Sequence, residues 1–423
     1  MISHSQLNPI PISDLGSDVR GGILAPVVNV RDMGAKGDGR TDDTDAFQAA
    51  VDEVPETGGS VIVPRGDYRI DATKSIVLHS NMLLMMDPAA TLAAIPNKVP
   101  KYRVIKVWNI SNVRIVGGRL VGERRLHVTE SNTPIGGDEQ GFGIEMLNAH
   151  NVIVSDMHVS DFWGDGIWIG AHAGWDDGTG GPLDDVRPST NVLINRVHCS
   201  YNRRQGLSVG PADNVTIMNS TFSFTGPTAT EGTRPMAGID LEPQRQGLLR
   251  NVSISHCIFM RNRGCGMEIH GNVIGVSIDN CLFSDNFGYG IITHEEEDME
   301  EKELTGLSFT NNTVSRNGLV GALFTGETDC LLLANNTFVN NGFLYQDGDY
   351  DGDREWITGQ DIVTDTKSGM GTMNWDVDPE KSTEPDLVVV RSTTNVRLRG
   401  NTYTRTSDPD DEFGDRPDKW DRP

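Results

Sequence analysis

The sequence predicts an all-β chain wound as a right-handed parallel β-helix, a solenoid closed at its N-terminal end by one capping helix. Three observations predict it. A short alternating segment recurs along the chain, a set of glycine-led strands recurs in step with it, and the composition is rich in turns. Glycine contributes 47 of 423 residues and aromatics only 6%, which favours many short strands joined by tight turns over packed helices.

The recurring segment is Asn112–Ile115, then Asn151–Val154, Asn191–Ile194, Asn214–Ile217, Asn251–Ile254, Gly275–Ile278, Gly306–Phe309, Cys330–Leu333 and Asn395–Leu398. Apolar residues alternate within it, the period of a strand. Successive starts are 39, 40, 23, 37, 24, 31, 24 and 65 residues apart. The spacings of 23–24 give the bare unit, and the longer ones are that unit plus an insertion. A unit of this length holding three short strands is one rung, which buries its inward side chains only against its neighbours. After the first strand, Cys199, Ser220, Cys257, Cys281 and Asn312 read as one stacked turn position. That arrangement favours reduced, packed thiols over a Cys257–Cys281 disulfide. The five cysteines are an odd number, which also argues against a disulfide framework.

The cap comes first in the chain. Val27–Val30 reads as a strand, and Thr41 as the N-cap of a helix over residues 42–54 with acids in its first turn. Gly58–Pro64 then starts the rungs. The stretches Asn29–Ala50 and Gly58–Tyr68 resemble the opening motif of the pectate-lyase-like β-helix superfamily. That superfamily includes polygalacturonase-like hydrolases, alginate-modifying enzymes and phage tailspike depolymerases. The resemblance implies a β-helix over residues 27–405, an N-terminal extension over 1–26 and an acidic, proline-rich tail over 406–423. It implies carbohydrate as the ligand but leaves the reaction open, because one fold hosts many chemistries.

The third strand of each rung follows a glycine: Gly143, Gly166, Gly206, Gly238, Gly266, Gly290 and Gly321. Residues one and three after it are mostly apolar and point inward, so residues two and four point outward. The second positions hold Glu145, Trp168, Ser208, Asp240, Glu268, Ile292 and Leu323; the fourth hold Leu147, Gly170, Gly210, Glu242, His270, His294 and Thr325. Rungs lie about 4.8 Å apart, so Asp240, Glu242, Glu268 and His270 form one patch. Outward polar residues elsewhere on the solenoid are Ser, Asn and Thr and read as solvated; this stripe concentrates acids and histidines. Paired carboxylates suit glycosidic cleavage, one protonating the leaving oxygen and the other activating water or attacking carbon. Asp240, Glu242, Glu268 and His270 are therefore the candidate catalytic set. Crowded acids raise at least one pKa and so supply a proton donor.

Candidate substrate-binding residues surround the set. Arg203, Arg204 and Arg234 could hold sugar carboxylates, and exposed turn arginines are the plain alternative. Trp168 could stack on a sugar ring. Glu145, Asp165 and His294 complete the group, although the turn position of Asp165 favours reading it as a turn aspartate. The pairing of Arg203–Gly210 with Ala237–Pro243 resembles a subgroup of right-handed β-helix proteins with polysaccharide-degrading roles, and implies Asp240 and Glu242 as site residues. The polygalacturonase pattern is not matched: its adjacent aspartates and Gly-His-Gly are missing, and Gln205 stands where a histidine is expected.

No metal site is assigned and no cofactor is required. Calcium is allowed, because Asp347–Asp353 resembles half of a calcium loop, although Thr358 replaces the final glutamate. The formal charge of −24 disfavours nucleic acid and anionic membranes as partners. No run of 18 apolar residues suggests a membrane span, and the first residues do not read as a signal peptide. The expected setting is extracellular or virion-associated, with the cytoplasm not excluded. The expected function is polysaccharide cleavage by a glycoside hydrolase. The alternatives are a polysaccharide lyase or uronan epimerase, and a non-catalytic glycan-binding spike or adhesin. The oligomeric state stays open; a homotrimer would accompany a tailspike role.

Overall fold

A computed structural model describes residues 24–128, 140–172, 186–227, 232–243, 247–294, 304–324, 328–342, 362–363, 387–390 and 395–404. Three columns of short strands run through it, and successive rungs pair almost entirely in parallel, as expected of a right-handed parallel β-helix. Val113 pairs with Val152, Val152 with Val192, Val192 with Val215, and the register continues through Val252, Val276 and Leu307. These residues are all buried and line the first wall of the core.

The asparagine or glycine that opens each repeat has a backbone cause. Asn112, Asn151, Asn191, Asn214 and Asn251 sit at φ between 55° and 62°, and Gly275 and Gly306 at 74° and 73°. This left-handed conformation excludes most side chains but tolerates Asn and Gly. The asparagine amides also donate to one another from rung to rung, Asn191 to Asn151 at 3.0 Å and Asn214 to Asn191 at 2.7 Å. Inside the solenoid a second ladder joins Asn262, Asn286, Asn317 and Asn341, each 0% exposed, through amide bonds of 2.8–2.9 Å. These bonds pair polar groups that would otherwise be costly to bury.

Two expectations need correction. The helix spans Thr44–Glu53, with Asp43 rather than Thr41 at its N-cap. Thr41 belongs to the strand Asp38–Asp42 and donates to Asp38. The Asp43 carboxylate instead accepts the Lys36 and Gly37 N–H groups, and Phe47, Ala50 and Val51 cover the end of the core. The cysteine ladder is also shorter than expected. Ser220, Cys257, Cys281 and Asn312 each precede the second strand of a rung, but Cys199 pairs with Phe222 two positions later. Cys199 thus lies in the core column between Val159 and Phe222, which continues to Phe259 and Phe283 with rings stacked at 5.6 and 4.6 Å. Each such buried ring contributes about 1.5–3 kcal/mol. Cys257 and Cys281 are free thiols.

The Asp347–Asp353 loop and the tail from 406 lie outside the described residues. No helix among the described residues is long and apolar enough to cross a membrane.

Candidate active site

The third-strand register is as the glycine spacing predicts. Glu145 pairs with Trp168, Trp168 with Ser208, Ser208 with Asp240, Asp240 with Glu268, and Glu268 with Ile292. The fourth positions follow the same order. Glu242 N–H donates to Val209, His270 N–H to Leu241, and His294 N–H to Ile269, each bond 2.8–3.0 Å. Regular parallel pairing therefore fixes the relative heights of all four candidate catalytic residues.

What the sequence does not reveal is depth. Asp240 is 1% exposed, Glu268 6% and Asp165 0%, although their positions point away from the core. The turn side chains Arg204 and Gln205 account for part of this cover. Gln205 donates its amide to Asp240, while Arg204 lies 3.2 Å from Asp165 and 3.6 Å from Glu242. Ser208 donates to Asp165 at 2.8 Å. Asp165, Gln205 and Ala237 occupy equivalent places before their glycines, as the bonds Gly166 N–H to Gln205 and Gly206 N–H to Ala237 show. The small Ala237 side chain leaves the space through which Gln205 reaches Asp240.

The groups nearer the surface are Glu242, His270 and His294. The His270 Nε2 atom is 3.2 Å from Asp240 and 3.9 Å from Glu268, and His294 Nε2 is 3.0 Å from Glu268. Burial first, and then the charge of Asp240, pushes the Glu242 carboxyl up to about 7; Arg204 and His270 oppose the shift. The buried Cys265 thiol is pushed well above its ordinary value by burial and by Glu268.

The remaining candidates separate into two groups. Trp168 lies beside the patch, stacked on Phe142 at 5.7 Å. A Cβ at Gly170 would come within 2.7 Å of the Trp168 indole nitrogen, and one at Gly210 would touch the same ring at 3.5 Å. The two glycines thus make room for the indole along the stripe, on the side leading to Glu242. Glu145, Arg203 and Arg234 are placed differently. Arg103 grips Glu145 through two nitrogens, with Nη2 at 2.7 Å, and both residues are buried. The Arg203 guanidinium lies over the Trp163 ring at 3.8 Å. Arg234 is exposed and joins none of these contacts among the described residues.

Gln205, Ser208 and Arg103 were missing from the sequence-derived site. The polar residue before Gly206 was a usable signal for Gln205. Arg103 had none, because its strand lacks the leading glycine.

Residues 27–105 match a family described as rhamnogalacturonase A/epimerase, pectate lyase-like, and residues 105–234 and 185–306 match the right-handed β-helix region. Residues 27–306 thus carry a pectate-lyase-like opening followed by a right-handed β-helix region. Among curated proteins it is 29% identical over 385 residues to the uncharacterized protein YclG of Bacillus subtilis, covering 82% of this chain and 64% of that one. The chain thus spans less than two thirds of this relative's length. The mannuronan C-5 epimerase AlgE6 A-module of Azotobacter vinelandii superposes with a TM-score of 0.59 at 16% identity, covering 90% of this chain and 87% of that one. The tailspike protein gp49 of Acinetobacter baumannii bacteriophage Fri1, a capsular polysaccharide depolymerase, superposes at 0.55 and 16% identity, covering 76% and 57%. At such identities these likenesses concern the fold.

Proposed function

We propose that this chain hydrolyses a glycan lying along the third-strand stripe, with Glu242 protonating the leaving sugar oxygen. One observation carries the reading: Asp240 on its strand and Glu242 directly after that strand are a buried carboxylate and a carboxyl nearer the surface within the same patch. A donor must hold its proton near neutral pH, and a pKa pushed up to about 7 suits Glu242 to that task. The charge on Asp240 helps to keep it protonated. Water activation falls to the neighbouring rung, where His270 reaches outward between Asp240 and Glu268.

Charge favours hydrolysis over proton abstraction beside a uronate carboxylate. Asp165, Asp240 and Glu268 bring three carboxylates to the patch, and the Arg204 guanidinium beside them already faces Asp165 and Glu242. A sugar carboxylate arriving there would meet repulsion, so the reacting unit is a neutral sugar. Trp168 offers an apolar platform for a neighbouring unit. The names of the fold relatives, an epimerase of mannuronan and a depolymerase of capsular polysaccharide, support a glycan substrate. That substrate would place the work outside the cell or on a virion.

Incubation with a panel of neutral and acidic polysaccharides tests the proposal. New reducing ends without the ultraviolet absorbance of an unsaturated sugar are expected. Unsaturated products, or inversion of a uronate with no cleavage, would overturn it.

A further inference from the structure

Beyond Glu242, three side chains of the stripe converge in a way that acid–base chemistry alone does not require. Glu268, His270 and His294 each present one ligand atom, and these atoms all lie within 4.8 Å of one another. The closest separations are 3.0 Å from Glu268 to His294 and 3.9 Å from Glu268 to His270. Ligands at 2.0–2.1 Å from a tetrahedral ion stand about 3.3 Å apart, so small rotations of the two half-buried imidazoles would close the set. The two rings stack at 4.8 Å, 23° from parallel. All three residues sit on or directly after paired strands, a rigid base for a ligand set.

A second observation points to the same spot. The Oδ1 atom of Asp240 is buried and accepts no hydrogen bond among the described residues, and it faces His270 Nε2 at 3.2 Å. An orphaned carboxylate oxygen is costly in a protein interior. A cation beside it would remove that cost.

We propose that Glu268, His270 and His294 bind a divalent transition-metal ion of the zinc class, with the Asp240 carboxylate beside it. Two imidazoles and a carboxylate suit zinc and its neighbours in the first transition row. They do not suit calcium, which takes oxygen ligands, so the ion differs from the calcium allowed on the sequence for residues 347–353. Another pair on the solenoid shows that histidine stacking alone does not make such a site. His158 and His198 also face each other, at 5.4 Å, but His198 pairs with Ser223 and Arg119 presses on His158. Among the described residues no carboxylate completes that pair.

Binding follows from the geometry alone. Its role rests on the hydrolytic reading: an ion here would lie about one rung, some 4.8 Å along the axis, from Glu242. With the ion bound, His270 would be a ligand and no longer the base, and the ion would itself supply the activated water that the reaction needs.

The test uses the full chain without a purification tag, stripped with a chelator and then titrated with Zn²⁺ by calorimetry and with Co²⁺ by visible absorption. One ion per chain is expected, with Co²⁺ bands typical of four or five ligands. His294→Ala and Glu268→Gln should each weaken binding tenfold or more, while the double variant His158→Ala/His198→Ala keeps it. Melting curves recorded in chelator separate lost ligands from lost fold. His294, partly exposed, is the variant expected to fold normally. The proposal is overturned by absence of saturable binding, by Ca²⁺ saturating the site in preference to Zn²⁺, or by binding that survives His294→Ala with Glu268→Gln. Loss of binding in the His158/His198 variant would overturn it too. None of these outcomes depends on whether a glycan is cleaved.

Discussion

Glu145 and Asp240 occupy the same strand position three rungs apart, and both are 1% exposed. Their surroundings differ. Glu145 meets one guanidinium in a two-point grip, and the Arg103 cation also lies near the Trp108 and Phe142 rings. The charge there is matched and closed. Asp240 meets a glutamine amide and an imidazole, with Glu242 and Glu268 close by. The charge there is unmatched, and one carboxyl responds by holding its proton. The same position of the same repeat is thus closed by an ion pair in one rung and set among further carboxyls in another, and the neighbouring rungs decide which.

The largest effect expected from this contrast is on turnover. Glu242→Gln should lower glycan cleavage by about 10²–10⁴, the range for removing a general acid, with the fold intact by circular dichroism. Equal turnover would place Glu242 with Glu145 on the structural side. Arg103→Met should act through stability instead. It strands the buried Glu145 charge and should cost about 3–5 kcal/mol in urea unfolding, while Arg103→Met with Glu145→Met should recover most of the loss.

A third, smaller effect concerns pH. The Glu242 pKa is raised from its ordinary 4.5 to about 7 in the folded chain, so the folded state holds the extra proton between those values. The stability this contributes is complete below about 4.5 and is lost as pH rises through 7. Glu242→Gln cannot lose that proton. Its unfolding free energy should gain on the parent's between pH 5 and pH 8.5, by about 1–3 kcal/mol after allowance for partial exposure. A constant gap would mean that the carboxyl is ionised throughout. The smallest effect belongs to the platform. Trp168→Ala should raise KM about tenfold with kcat less affected, about 1.4 kcal/mol of uniform binding. A fall in kcat alone would assign Trp168 to packing with Phe142.

The same contrast explains what the sequence disclosed. Strand register was legible because each third strand carries its own glycine and alternates apolar with polar, so Asp240, Glu268, His270 and His294 could be placed rung by rung. Depth was not legible. Alternation tells which way Asp240 points, but the cover comes from Gln205 and Arg204 in a preceding turn. Glu145 looked like a site residue for the same reason, since its partner Arg103 sits on a strand without the glycine marker. Cys199 was misplaced because the strand Arg187–Ser200 runs through two columns without a break, so counting from its start overshot the turn. Thr41 looked like a cap, but Asp43, already bonded to the Lys36–Gly37 backbone, begins the helix. The convergence of Glu268 with two histidines could have been seen in the register. Acids and histidines at this spacing suit acid–base chemistry as well as metal ligation, and register alone does not separate the two.

The central claim is that Glu242 is a proton donor in hydrolysis, and a pH–rate profile of the parent and of Glu242→Gln on a cleavable glycan tests it most directly. Product analysis should run alongside, scoring reducing and unsaturated ends. The account predicts that the parent yields reducing ends only, that its cleavage declines as pH rises through about 7, and that the glutamine variant is slow throughout with no such decline. A variant that keeps both the parent's rate and its alkaline decline, or a parent that yields unsaturated ends, would contradict it.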